Sequence, residues 1–124
     1  ARVADLSHNA LAALPASLSA LTGLHTLRLG HNALTTAGVP WDALACLSGL
    51  TALTLDANAL GSIPEAGLAG LSSLQALSVC GNRLTSLPEA VGALAALEVL
   101  AADGNRLAGL PGSVGGCGGL KNGT

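Results

Sequence analysis

The spacing of apolar residues is the most regular feature of this chain. It is clearest between residues 74 and 97, where three apolar residues precede an asparagine and four follow it: Leu74, Leu77, Val79, then Asn82, then Leu84, Leu87, Val91, Leu94. The same order begins again at Leu97. This recurrence predicts a stack of similar units, in which each unit buries its apolar side chains against the next.

Asparagines and prolines mark the period of the units. Five asparagines are successively 23, 26, 24 and 23 residues apart, and one proline follows each of them: Asn9, Asn32, Asn58, Asn82, Asn105 and Pro15, Pro40, Pro64, Pro88, Pro111. We therefore interpret residues 1–124 as one array, with repeats at 1–23, 24–49, 50–73, 74–96 and 97–119 and a truncated sixth from 120. Because both ends fall inside a repeat without a polar cap, we expect a fragment of a longer protein.

Each repeat should contribute one short strand. Positions 3 to 7 of a repeat alternate between outward and inward side chains, which is typical of a strand with one buried face. The predicted strands lie near residues 3–6, 26–29, 52–55, 76–79 and 99–102. They should stack in parallel, about 4.8 Å apart. The asparagine then turns the chain, and its amide can bond backbone groups that no regular ladder would satisfy.

Departures from the pattern predict where the repeats differ. Repeat 1 has alanine in two inward slots, Ala1 and Ala4, so its strand should fray, whereas Leu18 and Leu21 should still pack onto the sheet. Repeat 2 is the longest, and its extra residues should bulge on the side opposite the sheet without disturbing the strand register.

Two further segments carry expectations of their own. Trp41, in the insertion of repeat 2, either fills the gap beneath the longer loop, which we favour, or offers a contact to a partner. Residues 115–119 are almost all glycine and should be irregular.

Composition removes several classes of function. The 124 residues are 50% hydrophobic and 10% charged, with one aromatic side chain. A net charge of −2 and a pI of about 5.8 give no electrostatic argument for nucleic acid or an anionic membrane as partner. The longest apolar-looking run, residues 93–102, is broken by Glu98 and is too short to span a membrane.

Nearly the whole chain, from Ala1 to Leu120, resembles the leucine-rich repeat family, whose pattern L-x-x-L-x-L-x-x-N-x-L-x-x-L-P recurs here. The short distance from asparagine to proline, as between Asn82 and Pro88, is similar to the 23-residue cytoplasmic type of Ras-associated scaffolds and plant intracellular proteins. The resemblance implies an α/β repeat solenoid. In this horseshoe segment a parallel β-sheet lines the concave face and short helical or irregular segments form the convex face. It also implies a non-enzymatic module that binds protein partners along the concave sheet.

Three cysteines stand at unrelated phases of the repeat, so they predict no disulfide framework. Cys80 should lie on the concave strand face and Cys46 on the convex side, too far apart to bridge. Cys117 takes a leucine slot and should be a small core residue. Extracellular members of the family usually have cysteine-rich caps, and none is visible here, so we expect a cytoplasmic protein.

The outward strand positions form the candidate partner-binding surface. They are small and sparsely charged, and the residues we select as partner-binding on this concave face are Asp5, Arg28, Thr54, Asp56, Ser78, Cys80 and Asp103. Asp5 and Arg28 share an outward slot on neighbouring strands and should pair, with Asp56 diagonally within reach of Arg28. The alternative is that this face is only solvated and that binding occurs on other repeats.

No catalytic, cofactor or metal site is expected. His8 and His31 share the slot before the asparagine and should lie close together, but a metal needs three or four ligands. Two exposed histidines are therefore the preferred interpretation. The glycines at 115–119 lack the Lys-Ser/Thr pair of a phosphate-binding loop, and no catalytic set appears.

We therefore expect a non-enzymatic scaffold that binds a protein partner, with no nucleic acid, membrane or small-molecule substrate. The alternative is a passive recognition or spacer array inside a larger enzyme, such as a kinase or ubiquitin ligase, or inside a receptor. An extracellular receptor fragment would need cysteine-rich caps or glycosylation acceptors, and Asn122-Gly-Thr is one acceptor by spacing.

Overall fold

A parallel five-stranded sheet is the frame of the molecule. The computed structural model describes residues 3–64, 68, 70–88, 91, 94 and 96–106. The strands are β1 Val3–Asp5, β2 Thr26–Arg28, β3 Ala52–Thr54, β4 Ala76–Ser78 and β5 Val99–Ala101, in the spatial order β1-β2-β3-β4-β5. All five predicted strands are confirmed, each one residue shorter at its end. The hydrogen bonds nevertheless continue past the strands, as from the Leu29 amide to the Thr54 carbonyl at 2.9 Å.

The register between neighbouring strands has no offset. Equivalent residues of successive repeats therefore stand side by side. The inward column is Ala4, Leu27, Leu53, Leu77 and Leu100, and the outward column that follows it is Asp5, Arg28, Thr54, Ser78 and Ala101. One column buries leucine while the next faces outward, because side chains alternate along a strand.

Leucines fill the space behind the sheet. In the central repeats they are almost completely buried: Leu53 is 1% exposed, and Leu55, Leu60 and Leu77 are 0% exposed. Each of them lies between the matching residues of two neighbouring repeats. Full burial of a leucine side chain contributes roughly 1.5–3 kcal/mol of transfer free energy, so the stack is held together chiefly by this repeated contact.

Repeat 1 departs from this arrangement. Leu18 is buried as predicted, but Leu21 is 44% exposed, so the prediction that it packs into the core was wrong. Its equivalent Leu71 lies between two repeats, whereas among the described residues Leu21 has a neighbouring repeat on one side only. Ala4 in β1 is only partly buried. The fraying of β1 stays a prediction, because β1 is paired with β2 along its length.

Short helical segments lie on the convex side, as predicted. They are a 3-10 helix at Ala16–Ala20, a second at Thr36–Gly38 and the α-helix α1 at Trp41–Ala45. The last two absorb the insertion of repeat 2 without shifting the register between β2 and β3.

Trp41 is 9% exposed, and its indole Nε1–H donates to the Thr36 carbonyl at 2.9 Å. The prediction that it fills the gap beneath the loop is confirmed. The predictions for residues 115–119, for Cys117 and for the sixth repeat lie outside the described residues.

Candidate functional site on the concave sheet

Asparagine side chains position the ends of the strands. Asn58 accepts a hydrogen bond from the Leu34 amide at 3.1 Å and donates to three carbonyl groups, those of Leu29, Leu55 and Asp56. Asn82 makes the same four bonds one repeat later and is 6% exposed. This ladder satisfies backbone groups that the sheet leaves unpaired. It also fixes the backbone of residues such as Asp56 and Cys80, which face outward just beyond the strands.

Asp56, Ser78 and Cys80 form a connected cluster in the middle of the face. One oxygen of Asp56, Oδ1, accepts hydrogen bonds from the Ser78 hydroxyl at 2.6 Å and from the Cys80 amide at 2.8 Å. The Ser78 oxygen also lies 3.9 Å from the Cys80 sulfur. All three residues are partly buried. The sequence pointed to each of them separately, and the structure brings them together across β3 and β4.

Asp56 does not pair with Arg28, contrary to expectation. The Asp56 carboxylate is held by Ser78 and Cys80 on the side of the later repeats. Among the described residues the single ion pair joins Arg28 Nη1 to Asp5 Oδ2 at 4.0 Å, with both side chains more than half exposed. The predicted lateral pairing of Asp5 with Arg28 is therefore confirmed, whereas the diagonal contact is absent.

Local hydrogen bonds orient Asp5 at the edge of the face. Its Oδ1 accepts from the Ser7 amide at 3.1 Å. The Ser7 hydroxyl, followed by the Ser7 amide, Arg28 and His8, lowers the pKa of Asp5 below its ordinary value. The carboxylate therefore stays ionised, but both side chains of the pair are largely exposed, and such a pair contributes little to stability.

Thr54 and Asp103 stand apart from both groups. Thr54 is half-buried in the outward column between Arg28 and Ser78. Asp103 is exposed, and its carboxylate makes no hydrogen bond or ion pair with the described residues. The seven predicted residues thus divide into an exposed pair at β1–β2, a cluster at β3–β4 and two residues whose side chains join neither group.

The slot before each asparagine has a left-handed backbone, which the sequence analysis missed. Its φ angles are 59° at His8, 56° at His31, 55° at Ala57, 68° at Gly81 and 73° at Gly104. Glycine adopts this conformation most readily, because it has no Cβ to clash with the backbone. The glycines of repeats 4 and 5 were the available signal: where one repeat needs glycine, equivalent residues in the others must adopt the same backbone.

The predicted closeness of His8 and His31 is confirmed. Their rings are stacked with centroids 4.4 Å apart and planes 7° from parallel. No group of three or more His, Cys, Asp or Glu that could hold a metal occurs in the part of the chain that the structure describes. Cys46, which is exposed, and Cys80, which is partly buried, are both free thiols.

Comparison with known proteins identifies the class of protein that this sheet and ladder define. The family described as Leucine rich repeat matches residues 3–60 and 48–107. The chain therefore belongs to the leucine-rich repeat family, whose members are generally non-catalytic and mediate protein–protein interaction.

One relative and one solved structure extend this result. The plant intracellular Ras-group-related LRR protein 8 of Oryza sativa subsp. japonica is 39% identical over 65 residues, which are 52% of this chain and 17% of that protein. A leucine-rich repeat protein of Leptospira interrogans superposes with a TM-score of 0.87 at 32% identity, covering 96% of this chain and 29% of that one. This chain thus spans less than a third of either protein. Within the described residues, no helix is long and apolar enough to cross a membrane.

Proposed function

We propose that this array is a non-enzymatic scaffold that binds a protein partner on its concave sheet, centred on β2 to β4. The observation that carries the proposal is the Asp56–Ser78–Cys80 cluster. Its hydrogen bonds hold a carboxylate in one orientation on an otherwise small-residue surface. A polar group fixed before binding loses little conformational freedom when a partner docks, which favours recognition.

The shape of the surface supports the same proposal. The outward column on the other side of the buried leucines contains Thr26, Ala52 and Ala76 in the central strands, and all three are half-buried. Small side chains let a helix or loop of the partner approach the sheet closely. Thr54 lies at the centre, between Arg28 on one side and Ser78 on the other, so a partner can meet both charged and neutral groups.

We further propose that the protein acts in the cytoplasm and that residues 1–124 form a single array within a longer protein. The printed name of the rice relative, which calls it intracellular, supports this compartment. The free thiols of Cys46 and Cys80 are in keeping with a reducing environment. No nucleic acid, membrane or small-molecule substrate enters the proposal.

The experiment is a pull-down from an extract of the source organism with variants that reverse one charge on the concave or the convex face. The amount recovered is measured for each protein that the unchanged array retains. Asp56→Lys and Arg28→Glu should each lower recovery of the partner by about tenfold or more, since charged groups at an interface are worth a few kcal/mol when reversed. Asp42→Lys is the matched control, because Asp42 is exposed in α1 on the convex side. Loss of the partner with Asp42→Lys, and normal recovery with both concave variants, would exclude the proposal.

A second candidate is a passive spacer or recognition array inside a larger enzyme or receptor. The observation that favours it is the greater length of the two similar proteins described above. The match covers only 17% of one and 29% of the other, so both contain further sequence. The sequence that flanks residues 1–124 distinguishes the two candidates, because a kinase or ubiquitin ligase domain there would favour the second.

A further inference from the structure

The residue that follows each asparagine forms a column of its own along one edge of the array. The Arg83 amide donates to the Leu60 carbonyl at 2.9 Å, and the Arg106 amide donates to the Leu84 carbonyl at 2.8 Å. The same bond joins Ala59 to Leu34 one repeat earlier. Neighbouring members of the column are therefore separated by about one strand spacing, roughly 4.8 Å.

Two like charges stand next to each other in this column. Ala33 and Ala59 occupy it in repeats 2 and 3, and Arg83 and Arg106, both exposed, occupy it in repeats 4 and 5. Neither arginine makes an ion pair or a side-chain hydrogen bond with the described residues. Adjacent like charges repel each other in a sheet. It is unusual for two of them to be adjacent, because the whole chain has only five Lys and Arg residues.

The neighbouring acidic residue does not neutralise these arginines. Asp103 lies three residues before Arg106, but the single ion pair in the described part of the chain is the one between Arg28 and Asp5. The Asp103 carboxylate is thus more than 4.0 Å from the guanidinium nitrogens of Arg106. The two positive charges remain available to an external anion.

We propose that Arg83 and Arg106 together bind a phosphate monoester, presented as a phosphorylated side chain of a protein partner. Two guanidinium groups offer two planar forks of N–H donors, and a phosphate has three free oxygens and close to two negative charges. A carboxylate has two oxygens and one charge, and so it matches one arginine but not the pair. The protein source of the phosphate rests on the proposed scaffold function, whereas the anion site does not.

The first experiment titrates inorganic phosphate into the purified chain at low ionic strength, following the arginine side chains by NMR. Arg83→Gln and Arg106→Gln should each weaken binding by about tenfold or more, as expected for loss of one charge-assisted contact. Arg2→Gln is the matched control, because it also removes one positive charge but at a residue that does not follow an asparagine, and it should bind phosphate as the unchanged chain does. Without phosphate, Arg106→Gln should melt at the same or a slightly higher temperature, because it removes a repulsion.

The second experiment compares a phosphoserine peptide with its serine counterpart. Tighter binding of the phosphorylated peptide, lost in the Arg83→Gln/Arg106→Gln double variant, would support the proposal. Equal binding of phosphate to the unchanged chain and the double variant, or no preference for the phosphorylated peptide, would overturn it. If Asp56→Lys and Arg28→Glu both leave partner recovery intact while Asp42→Lys abolishes it, and phosphate binding still needs both arginines, the scaffold proposal fails and the anion site stands.

Discussion

Repeat 1 and the central repeats share one sequence pattern but differ in what their residues contact. Asn9 is exposed and donates to two carbonyl groups, both within its own turn, those of Leu6 and Ser7. Asn58 makes four bonds, and two of them reach into the preceding repeat. The side-chain amide therefore stabilises only its own turn in repeat 1, whereas in repeat 3 it also joins two neighbouring repeats.

Leucines in equivalent slots differ in the same way. Leu21 and Leu71 hold the same slot of repeats 1 and 3, yet Leu21 is 44% exposed and Leu71 is 0% exposed. The repeat motif therefore sets the backbone shape of each repeat, whereas the free energy of folding comes largely from contacts with the repeats on either side. The contribution of any single residue should then depend on its place in the array more than on its identity.

The largest expected loss of stability follows substitution of a leucine in this slot. Leu71→Ala should lower the free energy of unfolding by about 3 kcal/mol, because it leaves a cavity between two repeats. Leu21→Ala, the same change in the same slot, should cost about 1 kcal/mol or less, since nearly half of the side chain is already in water. Urea denaturation of the two variants measures both values. Equal losses would break the comparison.

The next effect concerns the asparagines. Asn58→Ala should cost about 2 kcal/mol, because it leaves the Leu34 amide without its acceptor and removes one of the donors to each of three carbonyl groups. Asn9→Ala should cost less than half of that, since the carbonyl groups it contacts lie at an exposed turn. Melting curves of the two variants check the order, and identical shifts would show that contact across repeats is not what makes the asparagine important.

Much of this fold could be predicted from the sequence because the signal is repeated. The strand positions, the parallel order and the pairing of Asp5 with Arg28 follow from the register of equivalent slots. The register did not reveal which neighbouring groups the Asp56 side chain would contact. Its carboxylate has Arg28 diagonal to it on one side and the Ser78 hydroxyl and Cys80 amide of the next repeat on the other, and which of them it contacts depends on side-chain geometry. The left-handed slot was missed because three of its five residues are not glycine.

The left-handed slot gives a smaller effect that sharpens the comparison between repeats. Ala57→Gly should stabilise the protein by about 0.5 kcal/mol, because relief of the strained φ exceeds the entropy that glycine loses on folding. Gly81→Ala should destabilise it by about 0.5–1 kcal/mol. An added Cβ at Gly81 would lie 3.5 Å from the Ala57 amide nitrogen, an ordinary contact, so the cost would come from φ alone. Thermal unfolding of both variants tests the pair, and a loss of stability in Ala57→Gly would show that the slot is not strained.

The smallest effect belongs to Asp5, whose bonds are local to repeat 1. The Ser7 hydroxyl and amide, with Arg28 and His8, lower its pKa from 3.8, so folding favours the ionised carboxylate. The stabilisation is fully present above pH 3.8 and is lost as the pH falls through the lower value of the folded state. Asp5→Asn should therefore be slightly less stable than the unchanged chain at pH 7, and the two should converge in acid.

In a Ser7→Ala background the stability difference that Asp5→Asn causes at pH 7 should shrink, because the largest cause of the lowered pKa is gone. Urea midpoints across the pH range measure this. A gap between Asp5→Asn and the unchanged chain that widens in acid would reverse the sign and contradict the assignment.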